Sequence, residues 1–239
     1  MKKIGRRGAF IEHLFEIRTV INYDVDETKK RYDDDGFVIL RNCLDMSEVA
    51  ALRERAVPLA DRLFRAHGNH STYRNVLKSL QRVDPWFEEQ LNAGPHVPLI
   101  KHLLNDDVLG ASAAWFDRPE GEVQGFKPHV DVIGSYREPD AGATIWFALD
   151  RADTKNGCLH YLRGSHKTGH RDGSFVHDID HESADVFAAQ LNPGDAIIHS
   201  ALTVHWSGGN ESGAPRRAVS YFYFSARSQA NIHSGEQHK

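Results

Sequence analysis

Apolar positions along the chain change their rhythm near residue 110. Before it, Gly36, Phe37, Val38, Ile39 and Leu40 form a short apolar, β-branched run behind the acidic Asp33, Asp34 and Asp35, and this predicts a strand. Val49, Leu52, Ala56, Leu59 and Leu63 then recur at helical spacing on one face. Asp45, followed three residues later by Glu48, has the pattern of a capping box at the start of that helix. Pro58 falls inside the pattern and carries no amide hydrogen, so a kink or interruption is expected there. Between residues 67 and 104 polar clusters alternate with short helical stretches, with Pro85, Pro95 and Pro98 marking breaks.

From residue 111 onward the apolar runs are short, β-rich and separated by Gly, Pro, Asn and Asp. They cover 113–117, 144–149, 158–162, 186–191, 196–199, 203–206 and 218–225. Many short strands with turn signals between them predict a sandwich or barrel, and the jelly roll is the barrel-like arrangement that also encloses a ligand. The 239 residues fit one such domain. In this reading residues 1–110 supply a strand and a helical cover, 111–228 the jelly-roll core, and 229–239 a disordered tail.

Composition narrows the function. A net charge of −4 argues against a polyanion-binding surface, so no nucleic-acid partner is expected. The stretch after the basic residues 1–7 is interrupted by Glu12, His13, Glu16 and Arg18. It is neither a signal peptide nor a membrane span, and a cytoplasmic location without membrane attachment is expected. Cys43 and Cys158 are the only cysteines, too few for a disulfide framework or a thiolate metal site.

The candidate chemistry lies in histidines and acids. His129 and Asp131 are two apart, so on an extended segment both side chains leave one face and can meet one ion. Two imidazoles and one carboxylate form the set that holds non-haem ferrous iron with coordination positions open. With 15 histidines a chance His-x-Asp is unsurprising, and a second copy occurs at His170 and Asp172 in a Gly-bracketed, loop-like stretch. His199 and His205 both compete as the downstream imidazole, while His160, His166, His177 and His181 read as surface or hydrogen-bonded residues.

Six separated motifs sharpen this reading. They are Phe126-Lys127-Pro128-His129-Val130-Asp131, the 143–150 run around Trp146, Asn156-Gly157-Cys158-Leu159, Gly164-Ser165-His166-Lys167, Asn192-Pro193-Gly194-Asp195 and His205-Trp206-Ser207. In order and spacing the chain resembles the phytanoyl-CoA dioxygenase family from about Tyr23 to about Phe224. The resemblance implies a mainly β protein with flanking helices, a double-stranded β-helix of jelly-roll, cupin-like form. It also implies an Fe(II)-dependent enzyme that uses 2-oxoglutarate and dioxygen as cosubstrates.

On this resemblance the metal ligands are His129, Asp131 and His205. Arg216, eleven residues beyond His205, meets the remote carboxylate of 2-oxoglutarate with its fork of donors. Ser207 adds a hydroxyl to the same carboxylate, and Trp146 lies near the cosubstrate or belongs to the core. Arg217 would face the other side of the sheet.

With the carboxylate of Asp131 present, halogenation is disfavoured, whereas hydroxylation, desaturation, ring formation and epimerisation stay open. The alternatives are a zinc or other divalent-metal cupin-like hydrolase or isomerase, and a non-catalytic binding relative. No Gly-x-Ser-x-Gly nucleophile motif is present. Segments 77–86, 121–126, 134–140 and 169–181 are candidates for substrate selection. Their charged and polar members, among them Arg82, Asp84, Tyr136, Arg137, Glu138 and Arg171, favour a polar small molecule, such as a sugar-containing or amino-acid-derived biosynthetic metabolite.

Overall fold

The computed structural model describes residues 23–67, 75–122, 124–131, 142–168 and 175–227. The tail expected over 229–239, the His170 and Asp172 pair and the 134–140 segment lie outside the described residues. Among the described residues ten strands form two antiparallel sheets. The larger contains β1 (Phe37–Leu40), β2 (Val76–Leu77), β3 (Val108–Arg118), β5 (Gly142–Ala148), β8 (Ala196–Ser200) and β10 (Arg216–Ser225), in the order β1-β8-β5-β10-β3-β2. The smaller runs β4-β9-β6-β7, with β4 Phe126–His129, β6 Leu159–Leu162, β7 Val186–Ala189 and β9 His205–Ser207. This is the double-stranded β-helix that the motifs implied.

The larger sheet is covered on both faces. Ala143, Ile145, Phe147, Val219, Tyr221 and Tyr223 share one apolar cluster with the helices α2 (Met46–His67), α3 (Pro85–Ala93) and α4 (Val97–Leu104). Their alternates Thr144, Trp146, Ser220 and Phe222 line the interior between the sheets. Val49, Leu52, Ala56 and Leu59 of α2 are buried in that outer cluster, and full burial of one such branched side chain contributes about 1.5–3 kcal/mol. A fourth helix, α1 (Val25–Asp35), precedes β1.

The helix signals resolve in an instructive way. Asp45 accepts from the Glu48 amide at 2.9 Å while the Glu48 carboxylate accepts from the Asp45 amide at 2.8 Å, which completes the capping box. Pro58 does not interrupt α2, which runs through it as one 22-residue helix; its packed face outweighs the missing amide hydrogen. Pro85 and Pro98 start helices rather than break them. Each occupies the first turn of α3 or α4, where an amide would have no intrahelical acceptor.

Several family-like motifs turn out to fasten strands. Gly194, at φ +90°, passes so close to Leu44 that a Cβ would sit 2.4 Å from the Leu44 carbonyl oxygen. Asp195 beside it accepts from the Asn42 amide at 2.9 Å and from Arg41 at 2.7 Å, pinning the turn before β8. Ser165 accepts from the Val204 amide at 2.9 Å, immediately before β9. Asp150 on the outer face binds Arg217 of β10 at 2.7 Å and Arg53 of α2 at 2.7 Å, so Arg217 does turn away from the interior. Among the described residues no helix is long and apolar enough to cross a membrane.

Candidate metal and cosubstrate site

Cross-strand pairing builds the site. His129 at the end of β4 lies opposite His205 at the start of β9, and Tyr161 of β6 lies opposite His205 on the other side. The chain then leaves β4 and crosses to the larger sheet, where the Asp131 amide donates to the Ala201 carbonyl at 2.9 Å. His129, Asp131 and His205 thereby present one ligand atom each within 4.8 Å of one another.

The imidazoles are oriented for coordination. His129 Nδ1 lies 2.8 Å from the Lys127 carbonyl oxygen and His205 Nδ1 lies 2.9 Å from that of Thr203. A carbonyl only accepts, so each Nδ1 carries a proton and Nε2 is the ring nitrogen left for a metal. Burial first, and then the neighbouring His129 and His199, hold the His205 pKa well below its ordinary value. His205 is therefore neutral at neutral pH and free to bind a cation.

Asp131 is oriented as firmly. Its Oδ2 accepts from the Thr144 hydroxyl at 2.7 Å and from His199 Nε2 at 3.0 Å, while Oδ1 points at His205 Nε2, 3.7 Å away. Burial alone would raise the pKa of Asp131. His205, the hydrogen bond from His199 and His129 outweigh it and hold the carboxyl well below the usual range. His199 Nδ1 in turn lies 3.0 Å from the Tyr161 hydroxyl, so with Nε2 donating, Nδ1 accepts from Tyr161. His199, a rival of His205 in the sequence, is thus the outer partner of Asp131. Thr144 lies in the 143–150 motif without a role assigned to it and Tyr161 lies in none, and their roles appear only when strands pair. Two imidazoles with Nε2 available and a one-oxygen carboxylate, all with fixed outer partners, fit a ferrous ion with open positions.

Arg216 lines the same cavity of about 280 Å³, and it is 3 % exposed. Among the described residues it makes no ion pair, and its Nε is buried without a partner. Its guanidinium lies over the Trp146 ring at 5.4 Å from the centroid. Burial, with the adjacent Arg118 charge adding to it, pushes the Arg216 pKa down to about 10. Ser207 is buried two residues along β9 from His205, beside Arg118. A buried cation without a counter-ion, facing a cavity that also contains a metal-ligand set, is built for an anion. Of the other charged residues that pointed to a substrate, Asp84 caps α3 and binds Arg55 at 2.6 Å. It is part of the fold.

Comparisons with known proteins give the family and the fold. The family described as Phytanoyl-CoA dioxygenase (PhyH) matches residues 32–218. A relative named Phytanoyl-CoA dioxygenase 1 from Oryza sativa subsp. japonica is 26 % identical over 247 residues, covering 82 % of this chain and 87 % of its own length. Among solved structures, the carbocyclase SnoK from nogalamycin biosynthesis is similar with a TM-score of 0.72 at 20 % identity, over 86 % of this chain and 85 % of its own. The epimerase SnoN, solved with Fe3+, alpha ketoglutarate and nogalamycin RO, is similar with a TM-score of 0.69 at 21 % identity, over 84 % of each chain. With most of its length matched by the family and a His, Asp, His group in the interior of the barrel, the chain belongs to the phytanoyl-CoA dioxygenase family and is a 2-oxoglutarate-dependent non-haem iron dioxygenase.

Proposed function

We propose that the protein oxidises a C–H bond of a polar small molecule, consuming 2-oxoglutarate and dioxygen and releasing succinate and carbon dioxide. The observation that carries this reading is the buried, unpaired Arg216 in the same cavity as His129, Asp131 and His205. Bound iron with 2-oxoglutarate would supply the activation of dioxygen and the oxidising power. The protein's own residues hold and aim. His129, Asp131 and His205 keep the metal on one side so that three positions stay open. Arg216 and Ser207 bind the remote carboxylate, and Trp146 backs Arg216 with a flat apolar face. Phe116, Phe126, Phe175 and Phe222 line the cavity and limit water around the reacting carbon.

Substrate class follows from the rest of that lining. Lys78, Ser112 and Ser220 place a cation and two hydroxyls among aromatic rings. Such a mixture suits a molecule with both C–H faces and polar substituents, as a sugar-containing or amino-acid-derived biosynthetic metabolite has. The likeness in fold to two nogalamycin-pathway enzymes supports the same reading. Asp131 occupies the position a halide would need, so hydroxylation or a related oxidative tailoring is the reaction class.

The test is an anaerobic titration of metal-free protein with ferrous ion and then 2-oxoglutarate, followed through the visible charge-transfer band of the bidentate chelate. The band is expected to appear and to require a higher 2-oxoglutarate concentration in Arg216→Ala. Its absence in folded, iron-loaded protein would overturn the cosubstrate assignment and turn attention to zinc.

A further inference from the structure

Arg118 closes β3 directly opposite Arg216 of β10, so two guanidinium groups share one wall of the barrel. Both are nearly fully buried, at 5 % and 3 % exposure, and among the described residues neither is in an ion pair. Each has a buried Nε with no partner. Two like charges at neighbouring cross-strand positions repel, and burial raises the cost. Such an arrangement persists because other contacts hold it. Arg118 stacks over the Phe126 ring at 5.1 Å, donates to the Gln124 carbonyl, and donates through NH2 to Ser207 Oγ at 3.1 Å.

The Ser207 contact has a directional consequence. A hydroxyl has two acceptor lone pairs and one proton. In Ser207 the oxygen accepts from Arg118 at 3.1 Å and from the Phe126 amide at 3.4 Å. With both lone pairs engaged by donors, the single O–H is left to donate into the cavity. The same group therefore works as a donor to an anion held by Arg216.

We propose that Arg118 is a positioning residue of the cosubstrate site, turning the Ser207 hydroxyl into a dedicated donor for the remote carboxylate of 2-oxoglutarate and adding a second positive charge beside Arg216. This inference rests on the functional reading above and extends it to a residue outside the motifs. It makes the site selective for a dianion. A 2-oxo acid that chelates the metal but lacks the remote carboxylate gains nothing from Arg118.

The experiment measures binding of 2-oxoglutarate and of 2-oxopentanoate to iron-loaded protein by the anaerobic charge-transfer titration, in wild type, Arg118→Gln, Ser207→Ala and the double variant. Arg118→Gln is expected to weaken 2-oxoglutarate about tenfold or more, as loss of a charge-assisted contact does, and to leave 2-oxopentanoate within about twofold. Turnover at saturating 2-oxoglutarate should stay near wild type, a KM effect without a matching kcat effect. Ser207→Ala should cost less in the Arg118→Gln background than in wild type, because the oriented donor has already been lost. Arg118→Lys, which keeps the charge, covers a folding failure of the glutamine variant and should recover part of the affinity. Equal loss for both acids, or a Ser207→Ala effect undiminished in the Arg118→Gln background, would overturn the proposal while leaving the oxygenase reading in place. A wild-type protein that binds 2-oxopentanoate as tightly as 2-oxoglutarate would also overturn it. No band with either acid would sink the reading and the inference together.

Discussion

The chemistry of single residues here is set by what stands behind them. Asp131 keeps one oxygen free for a metal because Thr144 and His199 occupy the other. Replacing His199 by Phe removes that donor while retaining an aromatic ring of similar bulk. Ferrous affinity should fall about 10–100-fold, the usual cost of losing an outer partner of a ligand, as read by competition with a chromophoric chelator. Tyr161→Phe removes only the hydroxyl behind His199. It leaves a buried Nδ1 unpartnered, which costs about 1–3 kcal/mol of unfolding stability in a denaturant titration, with a smaller change in metal affinity. The candidate ligands were singled out in the chain by the six motifs and by the spacing of His205 to Arg216, because His-x-Asp by itself recurs at His170 and Asp172. Thr144, Tyr161 and Arg118 were not, since their partners stand 13, 38 and 89 positions away and only strand pairing brings them together. On β5 every residue is buried, so no polar alternation marked the interior-facing Thr144 and Trp146.

At the scale of elements, local signals worked where the deciding contact is local. The capping box of α2 was readable from Asp45 and Glu48 because its partners are three residues apart. Asp45→Ala should lower unfolding stability by about 1 kcal/mol in urea and leave iron affinity unchanged. Pro58 misled because a packed face carries α2 past one absent amide donor, whereas Pro85 and Pro98 sit harmlessly in the first turn of α3 and α4, next to the gaps they signalled. The strand itself was legible over 203–206, but the pairing of β9 between β4 and β6 was not. Gly157, at φ +77°, lies against the strand's exit, and a Cβ there would stand 2.4 Å from the Gly208 carbonyl oxygen. Gly157→Ala therefore strains its own backbone and pushes the chain next to Ser207. Loss of stability together with weaker 2-oxoglutarate binding is expected, read by thermal unfolding and the charge-transfer titration. Unchanged cosubstrate affinity would mean that β9 is fixed from the Ser165 side alone.

For the molecule as a whole, the two-sided burial of the larger sheet separates chemistry from stability. Its inner face carries Thr144, Trp146, His199 and Arg216, while its outer face packs against another buried histidine under the helices. His96 is 5 % exposed, its Nε2 is 2.7 Å from the Tyr223 hydroxyl, and its ring stacks on Tyr221 at 4.8 Å between centroids. Burial pushes its pKa down from 6.5 to about 3. The unfolded chain therefore binds a proton at this residue at a pH where the folded protein does not. The associated stability is fully present above about 6.5 and is lost as the pH falls from there toward about 3. At full slope, one proton corresponds to about 1.4 kcal/mol per pH unit. His160 and His166, both with pKa values lowered chiefly by burial, add to the loss in the same direction. In His96→Gln the amide can still pair with Tyr223 but cannot titrate. Urea unfolding of this variant between about pH 6 and pH 4 should show a slope shallower than wild type by close to one proton. A slope identical to wild type would mean that His96 protonates as readily in the fold as outside it, and that the helical cover opens to water at mild acidity. Because the site lies on the opposite face of the sheet, cosubstrate affinity at neutral pH should be the same in both proteins, which ties the effect to the cover.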